Sequence, residues 1–170
     1  MWDVDVSPKF LLDGMLGTLT RWLRICGYDA EYVQSVPDAD LIHRASDEKR
    51  ILLTRDRLLY RKALRAGLKA HFVKGRGDAE KLASVASRFD LMLDPGCSLC
   101  PQCGAPLATV DKQEVRDRVP AHTFEAYDEF WTCESCGKVY WRGSHWRNIV
   151  ETVETAAGLK SSADGGEQPL

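Results

Sequence analysis

Two Cys-x-x-Cys-Gly knuckles, Cys100-Pro-Gln-Cys103-Gly104 and Cys133-Glu-Ser-Cys136-Gly137, constrain this chain more than any other feature. Four sulfurs grouped two and two, with about thirty residues between the pairs, match the spacing of a closed tetrahedral zinc site. Thiolates bind the metal where neutral thiols do not, so metal binding and folding of that segment are coupled. The glycine after each second cysteine can take positive φ, which turns nearby amides toward the sulfurs. Four protein sulfurs leave no open coordination position, so the expected zinc is structural and any chemistry belongs to the other half of the chain.

Cys97-Ser-Leu-Cys100 offers a competing register. Cys100 precedes Pro101, whereas Cys103 and Cys136 each precede glycine, so Cys97 is read as a spare. Disulfides are the alternative use of the cysteines. Six in 170 residues, without a secretory segment, are too few for a disulfide scaffold, and a cytoplasmic location is expected.

Short apolar runs alternate with amphipathic stretches through the first ninety-odd residues, the pattern of a parallel βαβα sheet. Strands are expected at Phe10-Leu11-Leu12, Ala30 to Val33, Ile51-Leu52-Leu53 and Ala70 to Val73. Between them, one helix carries Leu16, Leu19, Leu23 and Cys26 on a stripe, a second opens at Pro37-Asp38, and a third ends near Gly67. A fourth spans about Asp78 to Phe89. Asp94-Pro95-Gly96 marks a boundary, giving a short extension (1–8), an α/β domain (9–94), a zinc ribbon (95–150) with a strand at Val139-Tyr140-Trp141, and a terminal segment (151–170). A last helix from about Trp146 to Ala156 is expected, and the Ser-, Asp- and Gly-rich stretch after Gly158 reads as disordered. No apolar run approaches the length of a membrane span.

Three aspartates fall at strand C-terminal ends or helix starts: Asp13, Asp38 and Asp56. In open parallel sheets those ends converge on the ligand crevice. Carboxylates gathered there repel unless cations neutralise them, and hard oxygen donors suit Mg²⁺ or Mn²⁺, which activates water for phosphodiester hydrolysis. Helix capping is the plainer use of Asp38 and Asp56. Asp40 competes with Asp38 for the inward position, and Thr54 is a candidate to orient a carboxylate or water. Asp13-Gly14-Met15 carries one acid of the Asp-x-Asp-Gly-Thr phosphatase loop, but Met15 stands where that loop needs its second, which argues against haloacid-dehalogenase chemistry.

A net charge of −2 predicts no strong overall attraction to nucleic acid, yet from Thr54 to Arg76 eight Lys or Arg face a single acid, Asp56. Among them Arg55, Arg57 and Arg61 are candidate polyanion contacts, a solvated helix face being the alternative. The second knuckle is followed by Lys138, Tyr140, Trp141, Arg142, His145, Trp146 and Arg147, where cations interleave with aromatics as in single-strand RNA binding. Arg142, His145 and Arg147 are the expected exposed contacts, with one of the Tyr140 and Trp141 rings expected to dock the ribbon on the first domain. His43 and His122 read as surface residues.

Phe10-Leu-Leu-Asp13-Gly-Met-Leu-Gly17, Arg21-Trp22-Leu23-Arg24, Gly27-Tyr28-Asp29 and Ile51-Leu-Leu-Thr-Arg-Asp56 resemble, in order, motifs of the Mut-7 C-terminal ribonuclease domain family. So do Tyr127-Asp-Glu-Phe-Trp131 and Tyr140-Trp-Arg-Gly-Ser-His-Trp146, and the likeness runs from about Lys9 to Ile149. The resemblance implies a PIN-like three-layer α/β fold with a mainly parallel sheet, a C-terminal zinc ribbon and RNA as substrate. It also implies that Asp13, Asp38 and Asp56 are the acidic site, holding one or two Mg²⁺ or Mn²⁺ ions. Many relatives place a further aspartate two residues after the last of these, where this chain has Leu58. An endoribonuclease is therefore the leading reading. The missing acid motivates the alternative, a non-catalytic RNA- or protein-binding adaptor on a degenerate fold. A toxin-like ribonuclease with a cognate inhibitor is a third option.

Overall fold

The structure is a computed structural model and describes residues 7–164. Four short strands, β1 (Phe10–Leu12), β2 (Ala30–Tyr32), β3 (Ile51–Thr54) and β4 (Ala70–Phe72), form one parallel sheet in the order β2-β1-β3-β4. Helices α1 (Gly17–Ile25), α2 (Asp38–Asp47), α3 (Arg57–Arg65) and α4 (Asp78–Phe89) connect and follow them. Every residue of β1 and β3 is buried, as unbroken apolar runs in central strands require.

The period-two alternation of those strands divides the core. Phe10, Leu12 and Leu53 pack with Leu16, Leu19 and Leu23 of the α1 segment and Leu82, Val85 and Ala86 of α4. Leu11 and Leu52 pack on the opposite face with Leu41 and Ala45 of α2 and Leu59 and Ala63 of α3. The result is the expected three-layer α/β arrangement. Because β2 and β3 flank β1 on opposite sides, the sheet reverses its direction of growth there, and the C-terminal ends of β1 and β3 meet at the switch point where open parallel sheets bind ligands.

The cysteine-bearing segment builds a separate antiparallel sheet, β5 (Leu107–Val110), β6 (Phe130–Cys133) and β7 (Val139–Tyr140), with a short helix α5 (Ala121–Ala126) between β5 and β6. Its buried side chains are few: Cys100, Val115, Thr123, Phe130 and Cys133.

One expectation is corrected. The last helix, α6 (His145–Asp164), continues past Gly158 rather than giving way to disorder, and 165–170 lie outside the described residues. Val153 and Ala156 join the core of the first sheet. Lys160 fastens the far end: its Nζ donates to Asp90 Oδ1 at 2.7 Å and to the Leu91 carbonyl at 3.0 Å, where α4 ends with Asp90 in a left-handed conformation. A cation at a helix C-terminus meets the negative end of the dipole, so a polar sequence is held by specific contacts.

Candidate active site and metal centre

Asp13 follows β1 directly and is 6% exposed, a burial few carboxylates adopt without partners. Its Oδ2 accepts a hydrogen bond from the Thr54 hydroxyl at the end of β3, and its Oδ1 accepts from the Met15 amide at 3.3 Å. Thr54 is fully buried, and its Oγ1 in turn accepts from the Asp56 amide at 2.9 Å. Asp56 caps α3, its Oδ1 accepting from Leu58 N at 2.7 Å and Leu59 N at 3.1 Å. Thus Asp13, Thr54 and Asp56 form one connected chain across the switch point.

Asp38 is not the cap of α2. Pro37 holds that position, and Asp38 is the first helical residue, its Oδ2 paired with Lys62 Nζ of α3 at 2.7 Å. Asp40 is exposed in the first turn of α2. Among the described residues the three aspartates do not form a ready-made ligand cluster, and the link from Asp38 to the other two runs through α3. Leu58, two residues after Asp56, is 65% exposed.

The basic candidates separate into two groups. Arg55 is pinned by the Val73 and Gly75 carbonyls, Arg57 lies over the Phe72 ring at 5.6 Å, and Arg61 is exposed on α3, all on the sheet domain. Arg142, His145 and Arg147 are exposed at the start of α6 and the turn before it. The Arg142 guanidinium lies over both Trp131, at 5.2 Å, and Trp146, at 4.7 Å.

The four cysteines expected as ligands come together: the sulfurs of Cys100, Cys103, Cys133 and Cys136 all lie within 4.8 Å of one another. Ligation at about 2.3 Å in a tetrahedron requires sulfurs about 3.8 Å apart. Cys100 and Cys136 are 3.8 Å apart, and Cys103 and Cys133 are 3.4 Å apart, so the set fits zinc. Gly104 and Gly137 both have positive φ, as the knuckle register requires, while the Cys97 side chain lies outside the described ones.

Burial pushes the Cys100 thiol up, but the Tyr140 hydroxyl, 3.1 Å away, and the Cys103 and Gln102 amides outweigh it and bring it to about 6. At Cys136 the Lys138 amide pulls down, yet local desolvation and the neighbouring Cys133, Cys100 and Cys103 thiols drive this exposed group up to about 11. Four sulfurs this close cannot all ionise unless a cation balances them, which is the electrostatic signature of a metal site.

Arg24 is the residue that sequence reasoning missed. It is buried in the last turn of α1, its Nε donating to the Ala30 carbonyl at 2.8 Å. Its Nη1 donates to the carbonyls of Pro101, at 3.2 Å, and Gln102, at 3.1 Å, inside the first knuckle. A Cβ on Gly104 would come within 3.0 Å of Arg24 Nε, so glycine there serves docking as well as the turn. The guanidinium also lies near the Cys103 and Cys100 sulfurs. The sequence pattern sets Arg24 apart from the apolar stripe of Leu16, Leu19, Leu23 and Cys26, and its burial follows from carbonyl partners on Ala30, Pro101 and Gln102 that no local pattern marks.

Together the fold and site define a three-layer α/β domain with a buried acid at its switch point, followed by a docked four-cysteine ribbon. The family model described as Mut7-C RNAse domain matches residues 8–153, and the chain belongs to that family. No curated protein and no solved structure matches it. Among the described residues, no helix is long and apolar enough to cross a membrane.

Proposed function

We propose that the protein is a metal-dependent endoribonuclease whose acidic site is Asp13, Asp56 and Asp38. The connected chain Asp13–Thr54–Asp56 at the switch point carries this reading, alongside membership of an RNase-domain family. The donor set suits Mg²⁺ or Mn²⁺: Asp13 and Asp56 offer hard oxygens, and each carboxylate keeps lone pairs beyond its protein hydrogen bonds. Either ion, held there, would lower the pKa of an attacking water and balance charge on the phosphoryl oxygens.

The chain's own residues do the positioning. Thr54 and the Met15 amide fix the plane of the Asp13 carboxylate, while the first turn of α3 fixes Asp56. Asp38 would join them in holding such a cation if it gave up its pairing with Lys62. Arg57 and Arg61 extend along α3 from Asp56, supplying positive charge for the incoming strand. The zinc ribbon (95–150) adds RNA contacts through Arg142, His145 and Arg147. The unpaired thiol chemistry of its metal site favours a reducing, cytoplasmic setting.

The adaptor reading draws on Asp38 being paired with Lys62 and on Leu58 replacing an acid. One experiment separates the two. Labelled single-stranded RNA is incubated with zinc-loaded protein, with and without added Mg²⁺ or Mn²⁺. Metal-dependent products, reduced about a thousand-fold or more in Asp13→Asn with unchanged zinc content, are the expected result. RNA binding without such products identifies the adaptor.

A further inference from the structure

The ribbon meets the α/β domain around a cleft of about 200 Å³, bounded by Ile25 at the end of α1, by Trp131, Trp141 and Trp146, and by Arg142 and His145. We propose that this cleft is a pocket for one unpaired nucleobase of single-stranded RNA, gripping the strand at the end of α1 remote from Asp13. The proposal deepens the ribonuclease reading and rests on RNA being the substrate.

Three observations carry it. The cleft is smaller than the ~300–1,000 Å³ typical of drug-sized ligand sites, so it suits a single flat ring rather than a folded segment. Among the described residues its lining includes indole and phenol rings, a guanidinium and an imidazole but no carboxylate, which complements a base attached to a phosphate chain. The rings are also braced: Trp141 meets Phe130 at 6.5 Å and the edge of His145 at 6.4 Å, and Arg142 bridges Trp131 and Trp146. Gly143 belongs to the same construction. A Cβ there would lie 2.8 Å from Trp141 Nε1, so the bare backbone lets the indole lie down against it.

Topology sets the pocket's position. Asp13 precedes α1, and Ile25 ends it, with Arg24 beside the first residue of β2. Nine helical residues span about 13 Å, so α1 separates the two sites along its length. A strand engaging both must run past the helix, and the base in the pocket lies some nucleotides away from the bond cut.

The test uses the zinc-loaded full chain without added Mg²⁺ or Mn²⁺, and two labelled strands of equal length, one of ordinary RNA and one with abasic riboses. Fluorescence anisotropy should show the wild type preferring the base-bearing strand. Trp146→Ala should weaken that strand by about ten-fold while leaving the abasic one unchanged, and Trp146→Phe should restore most of the loss. Gly143→Ala, which displaces the Trp141 indole, is a second probe should Trp146→Ala lose zinc. Equal binding of the two strands by the wild type overturns the proposal, as expected for phosphate contacts alone or for a cleft that receives a protein side chain. Unchanged RNA affinity in both Trp146→Ala and Gly143→Ala overturns it too. If those variants bind normally while Asp13→Asn no longer cuts, the pocket fails and the ribonuclease reading stands. If base-dependent binding is lost in Trp146→Ala while Asp13→Asn cuts normally, the active-site assignment fails instead.

Discussion

The two sheets of this molecule are held together by different physics. The parallel sheet has wholly buried central strands and apolar helix faces on both sides, so its order comes from removing apolar surface from water. The antiparallel ribbon buries little more than Val115, Phe130, Thr123 and two of its own cysteines. A module with so small a core needs other ties, and those on offer are a four-cysteine set that fits a metal, Arg24 beneath it, and aromatic contacts at its rim. Environments that disturb metal binding should therefore act on one half first, and those that disturb packing on the other.

Removing a metal ligand should break the contrast most severely. Cys100→Ser takes away a buried sulfur, and structural zinc in small peptides contributes about 10 kcal/mol or more, so the ribbon should lose its fold. Zinc stoichiometry and limited proteolysis check this. Cleavage should fall between 95 and 150 while the far-ultraviolet helix signal largely persists, and a variant that keeps one zinc and resists protease would remove the metal from the account. Arg24→Met comes next. It leaves three carbonyls without their donor and should destabilise the protein by about 3 kcal/mol, read by chemical denaturation, with earlier zinc release on chelator titration. Arg24→Lys should recover only part of this, because one ammonium cannot reproduce the forked geometry.

The smallest effect belongs to the sheet half. Burial, with Arg88 and Lys74 nearby, lowers the His71 pKa to about 4, against the opposing hydrogen bond with Ser84. An unfolded His protonates near 6.5, so as pH falls from there toward 4 the unfolded state takes up the proton first and stability drops. For a half-buried ring the screened loss is about 1 kcal/mol. His71→Gln should flatten that part of the stability–pH curve relative to wild type, the difference between the two proteins cancelling any protonation of the thiolates. Parallel curves would show that the ring does not titrate as argued.

The same contrast governed what the sequence disclosed. Phe10-Leu11-Leu12 and Ile51-Leu52-Leu53 were legible as buried strands because nothing but a two-sided core tolerates such runs, and α4 was legible from its stripe. In the ribbon the cysteines disclosed the metal site, but β5 and β6 were not foreseen, since strands half open to solvent carry no strong apolar pattern. The C-terminal part of α6 was misread for a related reason: its anchors are Lys160 on Asp90 and Leu91, contacts made by residues distant in sequence. Asp13 and Thr54 were individually visible as candidates. Thr54 reads as a candidate to orient a carboxylate or a water, and the structure supplies the carboxylate as Asp13, a pairing that depends on β1 and β3 being neighbours.

The path of α6 changes what kind of object the ribbon is. Since Val153 and Ala156 return to the interior of the first domain, the cysteine module is an excursion inserted between two parts of one core rather than a tag hung on its end. A fragment stopping at residue 150 would strip an apolar strip from α4 and should be prone to aggregate. An exchange of the ribbon alone, by contrast, would leave both of its attachment points where they are.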